Sequence, residues 1–277
     1  MKLIFFLIFL FILLTVSAAQ PLITEPRTDL QQAISKGLLE SIEWYDVPIL
    51  AVYFGKLTNK ITFPSKITLA PGKGDIDIQK NIGMDGRISP GSIDKDIIPN
   101  GIFYARMLFN IGNDLLGDAR PDAENYKHTF LFYKSLIYTY VFTETIKNII
   151  RRERPDGTDD RSFFSGHSAT TFAMSTFLFR ELDAVIDNEF CSEENRLLNS
   201  SLKTAAFTTL YGWAGYVAFC RMRDNKHYLS DVLIGAISGI LISNFIYNEH
   251  TQAGETPLRF GVNLYNEIPV MSFSLNF

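Results

Sequence analysis

Three short stretches of the 277-residue chain concentrate cations, hydroxyl donors and imidazoles inside otherwise apolar sequence. The first is Lys147-Asn-Ile-Ile-Arg151-Arg152-Glu153-Arg154-Pro155. Lys147 and Arg151 are four apart and share a face of a helix, and Pro155 biases Arg154 out of helical backbone, so the spacing predicts cations converging at a helix end. The same residues also suit a solvated basic C-terminus that complements the helix dipole. The second stretch, Phe164-Ser165-Gly166-His167-Ser168, leads into an apolar run from Ala169 to Leu178. A Ser-Gly pair opening a helix offers a hydroxyl and backbone N–H groups to an anion, and glycine permits close approach. Alternatively Ser165 only caps the helix and His167 packs. The third is Arg221-Met-Arg-Asp-Asn-Lys-His227-Tyr-Leu-Ser-Asp231. His227 and Asp231 are one helical turn apart, a spacing at which the carboxylate can hold one ring nitrogen, fix the tautomer and raise the basicity of the other. Such a pair suits a nucleophile or a base, and taken alone equally a surface ion pair or a charge at a helix N-terminus.

Two of the four histidines fall in the combined pattern Lys-x6-Arg-Pro, Ser-Gly-His, Arg-x5-His-x3-Asp. In that pattern and order, Lys147 to Asp231 resembles the type-2 phosphatidic acid phosphatase (PAP2) superfamily, whose members include class A acid phosphatases, membrane lipid phosphatases and vanadium haloperoxidases. The resemblance implies that His227 is a nucleophile forming a phosphohistidine, that Asp231 orients it, and that His167 is the general acid for the leaving group. It implies that Lys147, Arg154 and Arg221, with the Ser165 hydroxyl and the Gly166 N–H, hold the phosphoryl oxygens. Three fixed cations and oriented donors can stabilise the equatorial oxygens without a metal, so no cofactor is expected. Phe164 and Cys220 depart from the family pattern, which usually has proline before Ser-Gly-His and serine before the last arginine. The first change loosens the turn that aims the donors, and the second replaces a hydroxyl by a weaker thiol.

The implied activity is an exported, metal-independent phosphatase of phosphomonoesters or of lipid phosphates and diphosphates. The stretch Arg223 to Gly235 looks more like the lipid phosphatases than the soluble acid phosphatases. Two alternatives belong to other classes. A vanadium-dependent haloperoxidase would hold vanadate with the same residues, and a catalytically silent binding protein would explain Phe164 and Cys220.

Bringing these clusters together requires helices. Apolar periodicity predicts them at about Phe130–Arg151, His167–Leu182, Leu202–Phe219 and Lys226–Tyr247, with peripheral amphipathic helix between Asp29 and Leu57, where Leu30, Ile34, Leu38, Ile42 and Tyr45 share a face. Thr58 to Asn100, rich in Gly, Pro, Asp and Lys, is expected to be loop with brief strands at Ile61–Phe63 and Ile67–Leu69. Asp75, Asp77 and Asp85 there lack the spacing of a calcium loop and are expected to face solvent. The tail alternates Phe260, Val262, Leu264 and then Met271, Phe273, Leu275, Phe277, the period of a hairpin. The expected fold is mainly α, a helical bundle of the PAP2/haloperoxidase type. Residues 20–277 form one domain in it, with a motif core at 130–247 and a small accessory β-hairpin at 258–277.

Composition narrows the partners. The 26 Lys and Arg are outnumbered by 30 Asp and Glu, giving a net charge of −4 that argues against nucleic acid held by a general basic surface. Lys2, the apolar run Leu3–Leu14 and the small residues Ser17, Ala18 and Ala19 read as a signal peptide over residues 1–19, or else as an uncleaved anchor. The expected location is therefore the periplasm or cell envelope. Stretches without Asp, Glu, Lys or Arg at Ser162–Phe179, Thr204–Cys220 and Val232–Asn248 are 18, 17 and 17 residues long. They are short of a span of ~20 residues and read as bundle helices, with peripheral membrane contact through apolar helix surface. Cys191 and Cys220 lie in dissimilar surroundings and are not expected to pair.

Overall fold

The computed structural model describes residues 26–57, 67–84, 86, 88–93, 95–117, 120–190, 192–251, 258–265 and 268–275. The leader at 1–19, the Ile61–Phe63 segment, Asp85 and Cys191 lie outside these described residues. The fold is mainly α-helical. Its helices are α1 (Pro26–Glu40), α2 (Asp46–Leu57), α3 (Lys73–Ile82), α4 (Ile97–Leu116), α5 (Ala123–Ile149), α6 (Gly166–Glu189), α7 (Arg196–Arg223) and α8 (Leu229–Thr251). Two strands, β1 (Ile67–Thr68) and β2 (Ile150–Arg151), pair in parallel. At the end of the chain β3 (Leu258–Tyr265) and β4 (Ile268–Leu275) pair antiparallel, with Phe260 opposite Phe273 and Val262 opposite Met271.

Helix α6 runs through the middle, packed against α5, α7 and α8. Its central turns carry small residues and are buried on every side, including Ala169, Ala173, Ser175 and Thr176. The α6–α8 contact is closest where α8 presents Gly235 and Gly239. A Cβ at Gly239 would fall 2.2 Å from the Ala169 carbonyl oxygen, and one at Gly235 would fall 2.6 Å from that of Ser165. Glycine at both positions lets backbone touch backbone, and Ser168 Oγ closes the contact by donating to the Val232 carbonyl at 2.7 Å. Around this pair the larger apolar side chains form the core. Phe132 stacks edge-on against Phe177, and Phe177 against Tyr247, at 5.7 and 5.4 Å between centroids. Leu30, Ile34 and Leu38 of α1 pack onto that core, which accounts for the periodicity of the segment.

Several expectations are corrected. The stretch 58–100 is not simply loop. It contains α3, and α4 begins within it. Composition hid both, because Gly74, Asp75 and Asp77 in α3 and Pro99 and Gly101 in α4 are poor helix formers. Tertiary contacts compensate: the buried Gln79 amide donates to the Met222 carbonyl at 2.7 Å and to Asn225 at 2.5 Å. Helix α5 stops at Ile149, because Ile150 and Arg151 pair with β1 and the Arg151 carbonyl accepts from the Leu69 N–H at 2.8 Å. Lys147 and Arg151 therefore do not share a helix. Helix α8 starts at Leu229, so His227 precedes it.

Outward faces are apolar on two helices. On α8 the positions Leu233, Ile237, Leu241 and Phe245 recur every fourth residue and are 51%, 52%, 64% and 41% exposed. On α4, Tyr104, Leu108, Phe109 and Leu115 are exposed in the same way. Among the described residues one helix, Leu229–His250 with mean hydropathy 1.8, is long and apolar enough to cross a membrane.

Candidate active site

The segment after β2 doubles back on itself. Arg152 N–H donates to the Asp160 carbonyl at 2.8 Å and Ser162 N–H to the Arg152 carbonyl at 2.9 Å. This places the chain entering α6 beside the α7–α8 turn, where Ser165 N–H donates to the Asp231 carbonyl at 3.0 Å. The turn is held from the other side by the N-terminal half. Asp224 accepts from the Ser89 N–H at 2.8 Å and from its hydroxyl at 2.6 Å. All three sequence clusters thus meet at one end of α6.

His227 is buried and its orientation is set by a carbonyl. Its Nδ1 lies 2.7 Å from the Ser162 carbonyl oxygen. A carbonyl only accepts, so Nδ1 carries the proton and donates, and Nε2 keeps its lone pair. That Nε2 lies 3.4 Å from Arg154 Nη1, so the reactive nitrogen faces the cations. The direct hold of Asp231 on the imidazole is not what the geometry gives: Asp231 Oδ2 is 3.9 Å from Nδ1. Oδ2 instead accepts from Ser162 Oγ at 2.5 Å and from the Tyr228 N–H at 2.9 Å, the latter as half of a capping box at the start of α8. Asp231 therefore acts on His227 through Ser162, whose hydroxyl it binds and whose carbonyl orients the ring.

Asp231 has a partner that sequence reasoning missed. Arg152, 2% exposed, donates from Nη1 to Asp231 Oδ1 at 2.6 Å and to Ser230 Oγ at 2.7 Å, and from Nη2 to Asp75 Oδ2 at 2.6 Å. Asp75 also accepts from the Ser230 N–H at 2.9 Å. Burial pushes the Asp75 carboxyl up, but the Ser230 donors and Arg152 outweigh it and hold it below the usual range. Asp75 is thus a buttress of the site and not a solvated loop residue. Arg151 pairs with Asp160 at 3.1 Å, and Arg223 Nε rests 3.5 Å from Met84 Sδ.

The remaining cations converge on the two histidines. Lys147, buried, donates to the Arg161 carbonyl at 2.9 Å. Arg154 is anchored by Asp159 at 2.6 Å and by the Lys226 carbonyl at 3.1 Å. Arg221 is buried, and its Nε has no hydrogen-bond partner among the described residues. Burial, then Arg154 and Lys95, push the Lys147 ammonium down to about 7. Burial and then Arg221, Lys95 and Lys147 push His167 down to about 3, and burial with Lys147, Arg154 and Arg221 lowers His227 well below the usual imidazole range. Arg221 is itself lowered to about 10 by burial and Arg154. Cations crowded into a poorly solvated space repel one another, and a dianion among them reverses the sign of that field. The arrangement is built to attract a polyanion.

Ser165 accepts from the Ser168 N–H at 3.4 Å and so caps α6. Its backbone neighbour Gly166 is the first residue of α6, whose leading N–H groups have no acceptor within the helix. A Cβ on Gly166 would lie 3.2 Å from Lys95 Nζ and 3.3 Å from Thr143 Cγ2, a mild crowding. Phe164 is buried beside Phe142, with ring centroids 5.9 Å apart. Cys220 is buried with its thiol toward Gly91, where an added Cβ would lie 2.8 Å from Sγ.

Residues 116–255, half of the chain, match the family model described as the PAP2 superfamily, and the protein belongs to that superfamily. Over 82 residues, 30% of this chain, it is 38% identical to phospholipid phosphatase 2 of Rattus norvegicus, matching 27% of that protein. Over 96 residues, 35% of this chain, it is 33% identical to lipid A 1-phosphatase of Porphyromonas gingivalis, matching 18% of it. Over 172 residues, 47% of this chain, it is 27% identical to diacylglycerol pyrophosphate phosphatase 1 of Saccharomyces cerevisiae, matching 56% of it. The chain thus spans between 18% and 56% of these relatives' own lengths. Among solved structures, a transmembrane PAP2 type phosphatidylglycerolphosphate phosphatase from Bacillus subtilis aligns with a TM-score of 0.39 at 15% identity, over 84% of this chain and 98% of that one.

Proposed function

We propose that the protein is a metal-independent phosphatase of lipid phosphates or diphosphates, able to take simpler phosphomonoesters, that works through a phosphohistidine on His227. The observation that carries this reading is the position of His227 Nε2, deprotonated and 3.4 Å from Arg154, within a cluster of Lys147, Arg154, Arg221 and His167. In the first step Nε2 attacks phosphorus, the bond to the ester oxygen breaks, and its electron pair leaves with that oxygen, which takes a proton from His167. In the second, His167 accepts a proton from water as the water oxygen attacks the phosphohistidine, releasing phosphate and regenerating the imidazole. Phosphorylation at Nε2 makes the ring cationic, and the Nδ1–H to Ser162 carbonyl bond stabilises that charge. His167 needs its proton at the start, and the negative charge of the substrate supplies the pull that raises its pKa from about 3. Lys147, Arg154, Arg221 and the leading N–H groups of α6 hold the equatorial oxygens.

Two features favour a lipid substrate. The names of the relatives refer to phospholipid, lipid A and diacylglycerol pyrophosphate. The apolar outward faces of α4 and α8 suit contact with a membrane, since a run of exposed Leu, Ile and Phe on this scale marks an interaction surface. The leader-like segment at 1–19 is consistent with export to the periplasm or cell envelope, and the C-terminal strands with an accessory role. The test is phosphate release by the purified protein in EDTA from para-nitrophenyl phosphate, phosphatidate and isoprenyl diphosphate. Release from the lipids that His227→Ala abolishes is expected. Release that requires added metal, or that survives His227→Ala, overturns the proposal.

A further inference from the structure

We infer that Glu144 and Arg161, both outside the three sequence clusters, act together as positioning residues. Their ion pair pins to α5 the one peptide carbonyl that holds both Lys147 and Arg154, and so sets the spacing of these two cations on the phosphoryl group. The inference rests on the role proposed above for the cation cluster. The Arg161 carbonyl accepts from Lys147 Nζ at 2.9 Å and from Arg154 Nη2 at 3.4 Å. A carbonyl oxygen has two lone pairs, and here they serve two cations. Ser162, the next residue, uses its own carbonyl to orient His227, whose Nδ1 lies 2.7 Å away. Two consecutive carbonyls thus place both cations and the nucleophile, and a shift of this stretch moves all three.

The stretch is held in two ways. Locally, one carboxylate oxygen of Asp159 accepts from the Arg161 N–H at 2.8 Å and from Arg154 Nε at 2.6 Å. Across the fold, Arg161 Nη2 donates to Glu144 Oε2 at 2.6 Å, with both side chains only partly exposed. Glu144 lies on α5 one turn before Lys147. The contacts close a ring: Glu144 of α5 binds the Arg161 side chain, the Arg161 carbonyl binds Lys147, and Lys147 returns to α5. Arg154 and Lys147 repel one another in this poorly solvated space, so a shared acceptor that yielded would let them part. A partly exposed ion pair contributes little to stability on its own, which leaves its consequence to the geometry it fixes. Nor is that consequence a field, because Glu144 and Arg161 act on the Lys147 ammonium with opposite signs.

The test uses the full-length chain in detergent and measures sulfate affinity by calorimetry well below pH 7, where Lys147, lowered to about 7, is charged. Glu144→Ala removes a negative charge beside an anion site, so a field effect alone would tighten sulfate. Positioning predicts the reverse, a loss of about three- to tenfold, the equivalent of one hydrogen bond. Glu144→Gln, which keeps an acceptor for the guanidinium, should lose less than Glu144→Ala. Arg161→Ala should weaken sulfate to a similar degree, and the double alanine variant no further than the weaker-binding single one, because residues that act as a unit are not additive. Unfolding curves recorded alongside separate binding from stability. Tighter sulfate in Glu144→Ala, a lowered melting temperature with sulfate affinity unchanged, or additive losses in the double variant would each overturn the inference. If the wild-type protein hydrolyses no lipid phosphate, the proposed activity fails, while the sulfate affinities still decide the role of the pair.

Discussion

Replacing Arg152 by methionine keeps much of the side-chain volume and removes the guanidinium that joins Asp231 to Asp75. Three charge-assisted hydrogen bonds are lost, to Asp231 at 2.6 Å, Asp75 at 2.6 Å and Ser230 at 2.7 Å. Asp231, fully buried, keeps the Ser162 hydroxyl and the Tyr228 N–H but loses its only cation within ion-pair distance among the lysines and arginines of the described residues. Removing one partner of a buried pair costs about 3–5 kcal/mol, because the other charge is left uncompensated. For a chain of this size each kcal/mol lowers Tm by about 2–4 °C, so the variant should melt roughly 6–20 °C below the wild type. Asp75 retains two bonds from Ser230, and adding Asp75→Asn to the methionine variant removes a second uncompensated carboxylate. The double variant should therefore recover part of the loss, with a coupling of about 1–3 kcal/mol between the sites. Thermal and chemical unfolding of the four proteins in one detergent gives the cycle. A melting temperature for Arg152→Met within about 3 °C of wild type, with no coupling to Asp75, would refute the view that this arginine carries the buried network.

Sulfate does not titrate near neutrality, so its affinity reports the protein. Lys147 is charged below about 7 in the free protein and an anion favours its charged form, hence affinity should be highest below pH 7 and fall by up to about tenfold per pH unit above it. Lys147→Arg should flatten that profile, and an unchanged slope would exclude Lys147 as its source. Gly239→Ala would put a methyl group 2.2 Å from the Ala169 carbonyl, forcing α6 and α8 apart. The expected cost is about 1–3 kcal/mol or more in denaturant titration, together with reduced turnover, since the same contact brings Ser165 to Asp231. The pair Ile237→Glu and Leu241→Glu on the outward face of α8 should reduce flotation with phosphatidylglycerol vesicles while leaving hydrolysis of para-nitrophenyl phosphate in detergent unchanged. Equal flotation would show that this face does not meet the bilayer.

The chemistry of the site was legible in the sequence because its parts are local. Ser165, Gly166 and His167 are consecutive, and Arg221, His227 and Asp231 span one turn between helices, so their types and spacing carried the family resemblance that implied one phosphate-binding cluster. What holds these residues in place was not legible, because it comes from far along the chain. Arg152 looked like one of several solvated cations at a helix end, and only the fold brings Asp75, 77 positions earlier, against it. Helix α3 was hidden by glycines and aspartates that local propensity penalises, and it stands because Gln79 and Asp75 bond into the α7–α8 turn and the start of α8. The spacing of His227 and Asp231 suggested a direct pair on one helix. The helix begins two residues after His227, so the carboxylate reaches back to cap it and the imidazole turns to the Ser162 carbonyl instead. Gly235 and Gly239, which carry no chemistry of their own, are the contact surface of α8 with α6.

The central claim is that phosphate passes through His227. Rapid quenching of the protein mixed with 32P-labelled phosphatidate, followed by mapping of the labelled peptide, measures this directly. The account predicts an alkali-stable, acid-labile label on His227 in the wild-type protein that forms more slowly in His167→Ala, which lacks the general acid, and is absent in His227→Ala. Turnover at the wild-type rate with no protein-bound label, or a label on any other residue, would contradict it.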